Sequence, residues 1–206
     1  MFITFEGIDG SGKSTQIANL KKAFEREGAE VKVFRDPGGT EVSEKVRNIL
    51  LNPNYDIDPV TELLLFSSAR SQLVAEKVLP ALEEGCIVIL DRFYDSTTAY
   101  QGYGRASVSL EEIHRLNSIA SHKRAPDLTI YMKVSLDEAK KRMKDKEKDR
   151  MEQAGDFFFE KVIKGFNSLS KQEERFYTVD ATQPAHKVGE QIWTHVETFF
   201  KGGENR

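Results

Sequence analysis

Cysteine is all but absent. Cys86 is the only one in 206 residues, which excludes an internal disulfide and any metal site built on several thiolates, and makes a reducing cytoplasm the expected location. Long apolar runs are missing too, none approaching the ~18 residues of a membrane span. Glu6 and the glycines after it stand where a signal peptide would carry its apolar core, so no membrane attachment is expected. Neither sign of charge dominates: 30 Lys+Arg against 33 Asp+Glu leave a formal net charge of -3, without the basic surplus of a general nucleic-acid binder. The 4 histidines, His114, His122, His186 and His195, share no ligand spacing and read as structural or surface residues. No repeat or low-complexity linker divides the chain, whose length suits one α/β domain.

What is there begins with MFITFEGIDGSGKST. Phe2, Ile3 and Phe5 form a short β-prone run, and Gly7-Ile8-Asp9-Gly10-Ser11-Gly12-Lys13-Ser14 satisfies G-x-x-x-x-G-K-[ST] at every fixed position. The glycines let successive backbone N–H groups face phosphate oxygens, and the helix opening at Ser14 and Thr15 turns its positive end on the same anion. Lys13 then reaches the terminal phosphates and the Ser14 hydroxyl ligates Mg²⁺.

Further strands are expected at Glu30–Phe34, Cys86–Leu90, Leu128–Val134 and Phe176–Val179, each separated by a helical pattern. Together they predict a P-loop fold of the α/β class: a five-stranded parallel sheet with helices on both faces. Thr40 is placed to cap a helix through Leu51. A long helical region from Pro59 to Glu84 carries Leu63, Phe66, Arg70, Leu73 and Lys77 on successive turns, with Pro80 a candidate kink. Leu110, Ile113, Leu116 and Ile119 form another stripe; Ile192, Val196 and Phe199 form one near the end; and Phe157-Phe158-Phe159 and Trp193 read as core.

Asp91 ends an apolar strand at the end of the sheet where ligands bind, in or just behind the coordination sphere of the Mg²⁺ held by Ser14. Arg92 beside it is suited to gripping a phosphate oxygen pair. The charged run Lys144–Arg150 reads either as a solvated helix end or as a lid. The lid is preferred, because a phosphate loop without an arginine of its own needs a cation from elsewhere, with Arg150 and Arg142 the candidates. Phe66 and Arg70, one helical turn apart, are either core or a stacking platform with a hydrogen-bond donor. Asp36-Pro37-Gly38-Gly39 fits the D-x-x-G switch of GTPases, but no Asn-Lys-x-Asp follows it to read guanine.

With these positions marked, the chain resembles the thymidylate kinase family from Phe2 to at least Pro184, through GIDGSGKS, RDPGGT, LFSSARSQLV, DRFYDSTTAYQG, DRMEQ and VDATQP in that order. The resemblance implies ATP with Mg²⁺ as donor, dTMP as acceptor, and a homodimer touching through the helix around Leu63–Val74. It implies that Asp9 meets the acceptor's 3′-hydroxyl and Arg92 its phosphate. Phe66 would lie under thymine, Arg70 would donate to its O4, and Ser96 and Thr97 would reach the base edge. Tyr100 would exclude a 2′-hydroxyl, with Gln101 nearby and Asp36 and Pro37 lining the same site. Thr182, Gln183 and Pro184 would form the adenine turn, and residues 142–153 the lid, whose transferring-charge role falls to Arg150 because Lys144, Lys146 and Lys148 lack a guanidinium fork. Asp36 departs from the family's glutamate by one methylene. The rival readings are a kinase for dUMP or UMP and a nucleotide-dependent switch that hydrolyses ATP or GTP.

Overall fold

The computed structural model describes residues 1–144 and 149–203, with side chains through residue 199 in the last helix. Five strands, β1 (Phe2–Glu6), β2 (Val31–Arg35), β3 (Ile87–Asp91), β4 (Leu128–Lys133) and β5 (Phe176–Asp180), lie in the order β2-β3-β1-β4-β5. Every pairing is parallel. The expected strands are all present, shifted by no more than a residue at their ends. β1 lies between β3 and β4, and chain connections leave it in opposite directions, so a crevice opens above its carboxyl end. Register places Phe5 beside Asp91, Arg35 on the far side of Asp91, and Glu6 beside Tyr131. The chemistry-bearing turns after β1, β2 and β3 therefore meet.

Helix α1 (Lys13–Arg26) packs Ile17, Leu20 and Phe24 on one face of the sheet, against α9 (Ala185–Gly203), where Trp193 meets Phe24 edge to face at 5.5 Å. On the opposite face Leu73, Val74 and Val78 cover Phe2, Val88 and Leu90. Helix α2 (Glu41–Leu51) is capped by Thr40, whose hydroxyl accepts the Ser43 N–H; α3 (Pro59–Leu73) is capped by Asp58 with Pro59 in its first turn.

Past α3 the chain winds through one π-helical stretch, Val74–Val78, into α4 (Leu79–Glu83). Pro80 has no N–H to donate and its ring crowds the preceding turn, and the wider turn lies immediately before it. The extra residue advances the inward face, so buried Val78 takes the place expected for Lys77, whose side chain is 41% exposed.

A second departure is a helical segment that the sequence pattern did not announce: α5 (Tyr94–Thr97) running into a π-helical stretch, Thr98–Arg105. Its inward residues include Asp95, Thr97, Thr98 and Gln101, polar groups that an apolar periodicity cannot detect. Helix α8 (Asp156–Gln172) packs against it: Gly104 leaves room for the Phe158 ring, which would lie 2.6 Å from an added Cβ.

Helix α6 (Leu110–Ala120) buries Ile113, Asn117 and Ala120, while Ile119 is 71% and Leu110 37% exposed. The buried face is turned toward Asn117 because that amide holds Arg70 and Thr98. Three consecutive phenylalanines cannot share one helix face. Phe158 and Phe159 are buried, whereas Phe157 is exposed beneath the Lys161 ammonium. Phe199 likewise lies off the buried Val188, Ile192 and Val196 face of α9. Helix α7 (Leu136–Arg142) follows β4 and returns the chain to the phosphate loop.

Candidate active site

The loop between β1 and α1 takes left-handed backbone at Gly10 and Gly12, with φ 80° and 92°. At Gly10 a Cβ would sit 2.6 Å from the Ala139 carbonyl, so only glycine fits there. Helix α1 has no side-chain cap, leaving its first N–H groups for an anion. Lys13 is 6% exposed and its Nζ donates to the carbonyls of Gly7 at 3.1 Å and Ile8 at 3.3 Å. Burial and the nearby Arg92 guanidinium both push its pKa down. An ammonium held at that cost has an anion to meet.

Above the loop lies a cavity of about 390 Å³ lined by Gly12, Lys13, Ser14, Thr15, Asp91 and Arg142 among others. Arg142 spans two segments, donating to the Gly10 carbonyl at 3.4 Å and to Ala181 at 2.9 Å. It thereby ties the loop to the turn holding Thr182, Gln183 and Pro184. In that turn the Thr182 hydroxyl and N–H both donate to Asp180, and Gln183 accepts from Gln191.

A second cavity, about 210 Å³, opens beside the first and is lined by Asp36, Pro37, Phe66, Arg70, Ser96, Thr97, Tyr100 and Gln101. Every acceptor-site residue expected from the sequence is in its wall. Asp9 and Arg92 line both cavities. Arg92 has φ 69°, a strained left-handed conformation for a residue with a side chain, fixed by its N–H on the Phe5 carbonyl. From there its guanidinium donates to Asp9 at 2.9 Å, Ser96 Oγ at 3.1 Å and Tyr100 Oη at 3.2 Å. Burial raises the Asp9 pKa, but Arg92 and Lys13 override it and hold the carboxylate at about 2.

Arg70, 1% exposed, donates Nε to Asp36, Nη1 to Asn117 and Nη2 to Thr97. Three of a guanidinium's five N–H groups are thereby used, and two remain. Burial pushes Asp36 up despite that pairing, and its second oxygen, Oδ1, has no protein partner.

Arg150 lies elsewhere than the phosphate loop. Its guanidinium donates to the Leu50 carbonyl at 2.7 Å and pairs with Glu62 at 2.6 Å, at the end of the second cavity lined by Met151. Lys146 and Lys148, expected in the same segment, fall outside the described residues.

Three further contributors escaped sequence reading. Arg47 of α2 donates to the Pro37 carbonyl at 3.0 Å and lines both cavities; a lone arginine on an amphipathic helix gave no pattern to follow. Glu62, fully buried, gathers Gln101, Arg105 and Arg150. Its signal was available, since Glu62, Phe66 and Arg70 recur at i, i+4 spacing on one face of α3. Glu6, also fully buried, is the third.

A phosphate loop whose cavity shares a wall, with the Asp9–Arg92 pair in it, with a second, base-sized cavity defines a P-loop nucleotide phosphotransferase. The family model described as thymidylate kinase matches residues 5–192. A thymidylate kinase from Thermoanaerobacter sp. (strain X514) is 48% identical over 200 residues, 97% of this chain and 98% of its own. One from Chlorobium chlorochromatii (strain CaD3) is 44% identical over 214 residues, 98% and 96% of the two chains. The crystal structure of thymidylate kinase from Ehrlichia chaffeensis superposes with a TM-score of 0.78 at 32% identity, covering 96% of this chain and 98% of that one. The chain belongs to the thymidylate kinase family.

Proposed function

We propose that this protein transfers the γ-phosphoryl group of ATP to dTMP, giving dTDP and ADP for dTTP synthesis. The observation that carries the reading is the Asp9–Arg92 pair common to both cavities, because in-line transfer needs donor and acceptor phosphates to meet at one wall. ATP phosphates rest on the Gly7–Thr15 loop with Lys13 on the migrating group, and adenine lies against Thr182–Pro184 beyond Arg142. In the neighbouring cavity Arg92 grips the dTMP phosphate, Asp9 meets its 3′-hydroxyl and Phe66 supports thymine. Arg70, Ser96, Thr97 and Gln101 border the base, with Asp36 and Pro37 behind it. Tyr100, 6% exposed and packed on Phe158, Phe159 and Phe166, closes the space a 2′-hydroxyl would need.

The residues present suit Mg²⁺. Asp91 Oδ1 is buried without a protein partner, the Ser14 hydroxyl borders the same cavity, and a hard cation completes such a pair with phosphate oxygens and water. When bound, the ion neutralises charge on the donor phosphates.

We further propose one kinase domain over residues 1–206 with a lid at 142–153, of which 145–148 lie outside the described residues. Cytoplasmic residence accords with a free, buried Cys86, and no helix among the described residues is long and apolar enough to cross a membrane. A homodimer is supported by apolar side chains left exposed on neighbouring helices, Leu64 at 50%, Ile49 at 42% and Ile119 at 71%. Leu63, Leu73 and Val74 are core of this chain instead.

A coupled assay with ATP, Mg²⁺ and a panel of monophosphates tests the reading. Turnover is expected with dTMP well above dUMP and UMP; a preference for UMP would remove the role given to Tyr100, and hydrolysis without acceptor turnover would make the protein a switch.

Arg150→Ala separates two roles. With Arg150 latched to Glu62 and Leu50, the expected result is a raised KM for dTMP with kcat held within a few-fold, whereas a fall in kcat on the order of 10³ assigns it to the transferring charge.

A further inference from the structure

Glu6 ends the central strand with its side chain 0% exposed, and nothing in the transfer reaction described above uses it. A carboxyl in that position has to account for both oxygens. Oε1 accepts the Phe93 N–H at 2.8 Å, and Oε2 lies 2.6 Å from the Ser96 hydroxyl. Ser96 Oγ in turn accepts from Arg92 Nη1 at 3.1 Å and borders the acceptor cavity. A serine hydroxyl has one proton and two lone pairs, so the chain Glu6, Ser96, Arg92 admits two proton arrangements. With Glu6 ionised, the Ser96 proton is given to Oε2 and one lone pair accepts from Arg92, so the cavity is offered the remaining lone pair and no donor. With Glu6 neutral, Oε2 carries the proton and donates it to Ser96; one lone pair takes Glu6, the other takes Arg92, and the serine proton is turned outward.

We propose that Glu6 is a proton-coupled positioning residue for the acceptor site: in its neutral form it aims the Ser96 hydroxyl as a donor toward the bound monophosphate, and on ionising it withdraws that donor. This rests on the assignment of dTMP to the second cavity.

The surroundings favour the neutral form at physiological pH. Asp95 of α5 faces Glu6 and is itself held as a partner of Arg175 through two hydrogen bonds of 2.7 and 2.8 Å. Arg92 and, from the phosphate loop, Lys13 face it with positive charge, and Tyr94, Tyr100 and Tyr131 surround it as phenols whose pKa values burial raises. Burial, reinforced by Asp95 and only partly offset by Ser96 and Arg92, pushes Glu6 up to about 8.

The test is the dTMP dissociation constant, measured by calorimetry without ATP at pH 7 and pH 9, on native protein, Glu6→Gln and Ser96→Ala. A carboxyl titrating at about 8 is mostly neutral at the lower pH and mostly ionised at the higher, so native binding is expected to weaken about tenfold. Glutamine keeps the acceptor for Phe93 N–H and a permanent donor to Ser96. Its ratio of dissociation constants between the two pH values is therefore expected near one. Alanine at Ser96 removes the coupled hydroxyl, and is expected to bind more weakly at pH 7 with the same flat ratio. Titration of the nucleotide is common to all three proteins and cancels in the comparison. A residue that only supports the fold would shift affinity without flattening its pH dependence. The proposal is overturned if native binding is unchanged between the two pH values, or if the variants weaken as the native protein does; should Glu6→Gln fail to fold, Ser96→Ala decides alone. Absence of dTMP binding at either pH overturns the functional reading as well, so the two failures are told apart.

Discussion

Lys13→Met is expected to lower kcat by on the order of 10²–10³ while leaving the protein folded and at least as resistant to heat. Methionine keeps the apolar stem and removes the ammonium that the loop carbonyls of Gly7 and Ile8 hold where the donor phosphates are proposed to lie. In the free protein that ammonium is disfavoured by burial and by Arg92, so its loss relieves the resting state and injures only the reacting one. Steady-state kinetics beside a thermal melt measures both halves of the expectation. Near-native kcat would assign the transferring charge to another cation, with Arg142, in the wall of the same cavity, the first candidate.

Arg92→Ala is expected to cut kcat/KM for dTMP by about 10³, within the ~2–5 kcal/mol typical of truncating one member of a desolvated charge pair. Two losses combine. On the proposed placement the acceptor phosphate would lose a fork that lysine cannot reproduce, and Asp9, held at about 2 by Arg92 and Lys13, would become a carboxylate facing that phosphate with less to offset it. Arg92→Lys should recover part of the loss by restoring charge without the fork, and ATP binding should change far less than dTMP binding. An alanine variant with native KM and kcat would show that the acceptor phosphate lies elsewhere.

The sheet was legible because β3 is a continuous apolar run, the other strands are short β-prone segments between helical patterns, and the loop after β1 has a fixed spacing of glycines. That the residues proposed for the acceptor gather in one cavity was foreseeable only through a family resemblance: Phe66 and Arg70 alone fit a core helix equally well, and no periodicity singles out Ser96 or Tyr100. What stayed hidden was polar and tertiary. Glu62 and Glu6 are ionisable residues that a pattern reading assigns to solvent, yet both are fully buried, because partners from distant segments satisfy them. Arg150 ends a charged run and so reads as a lid cation, while the carboxylate it pairs with here, Glu62, is far away in sequence. Ile119 and Phe199 obey helical spacing but not burial, since spacing defines a face without saying what meets it.

Arg92 is already engaged before any monophosphate arrives, its Nη2 on the Asp9 carboxylate at 2.9 Å. On the proposed assignment of the acceptor phosphate to Arg92, binding would exchange one anion for another at a guanidinium that is not bare beforehand. The affinity would then report how far a phosphate displaces the resident carboxylate, and Asp9, once released, would be the group to turn to the incoming sugar.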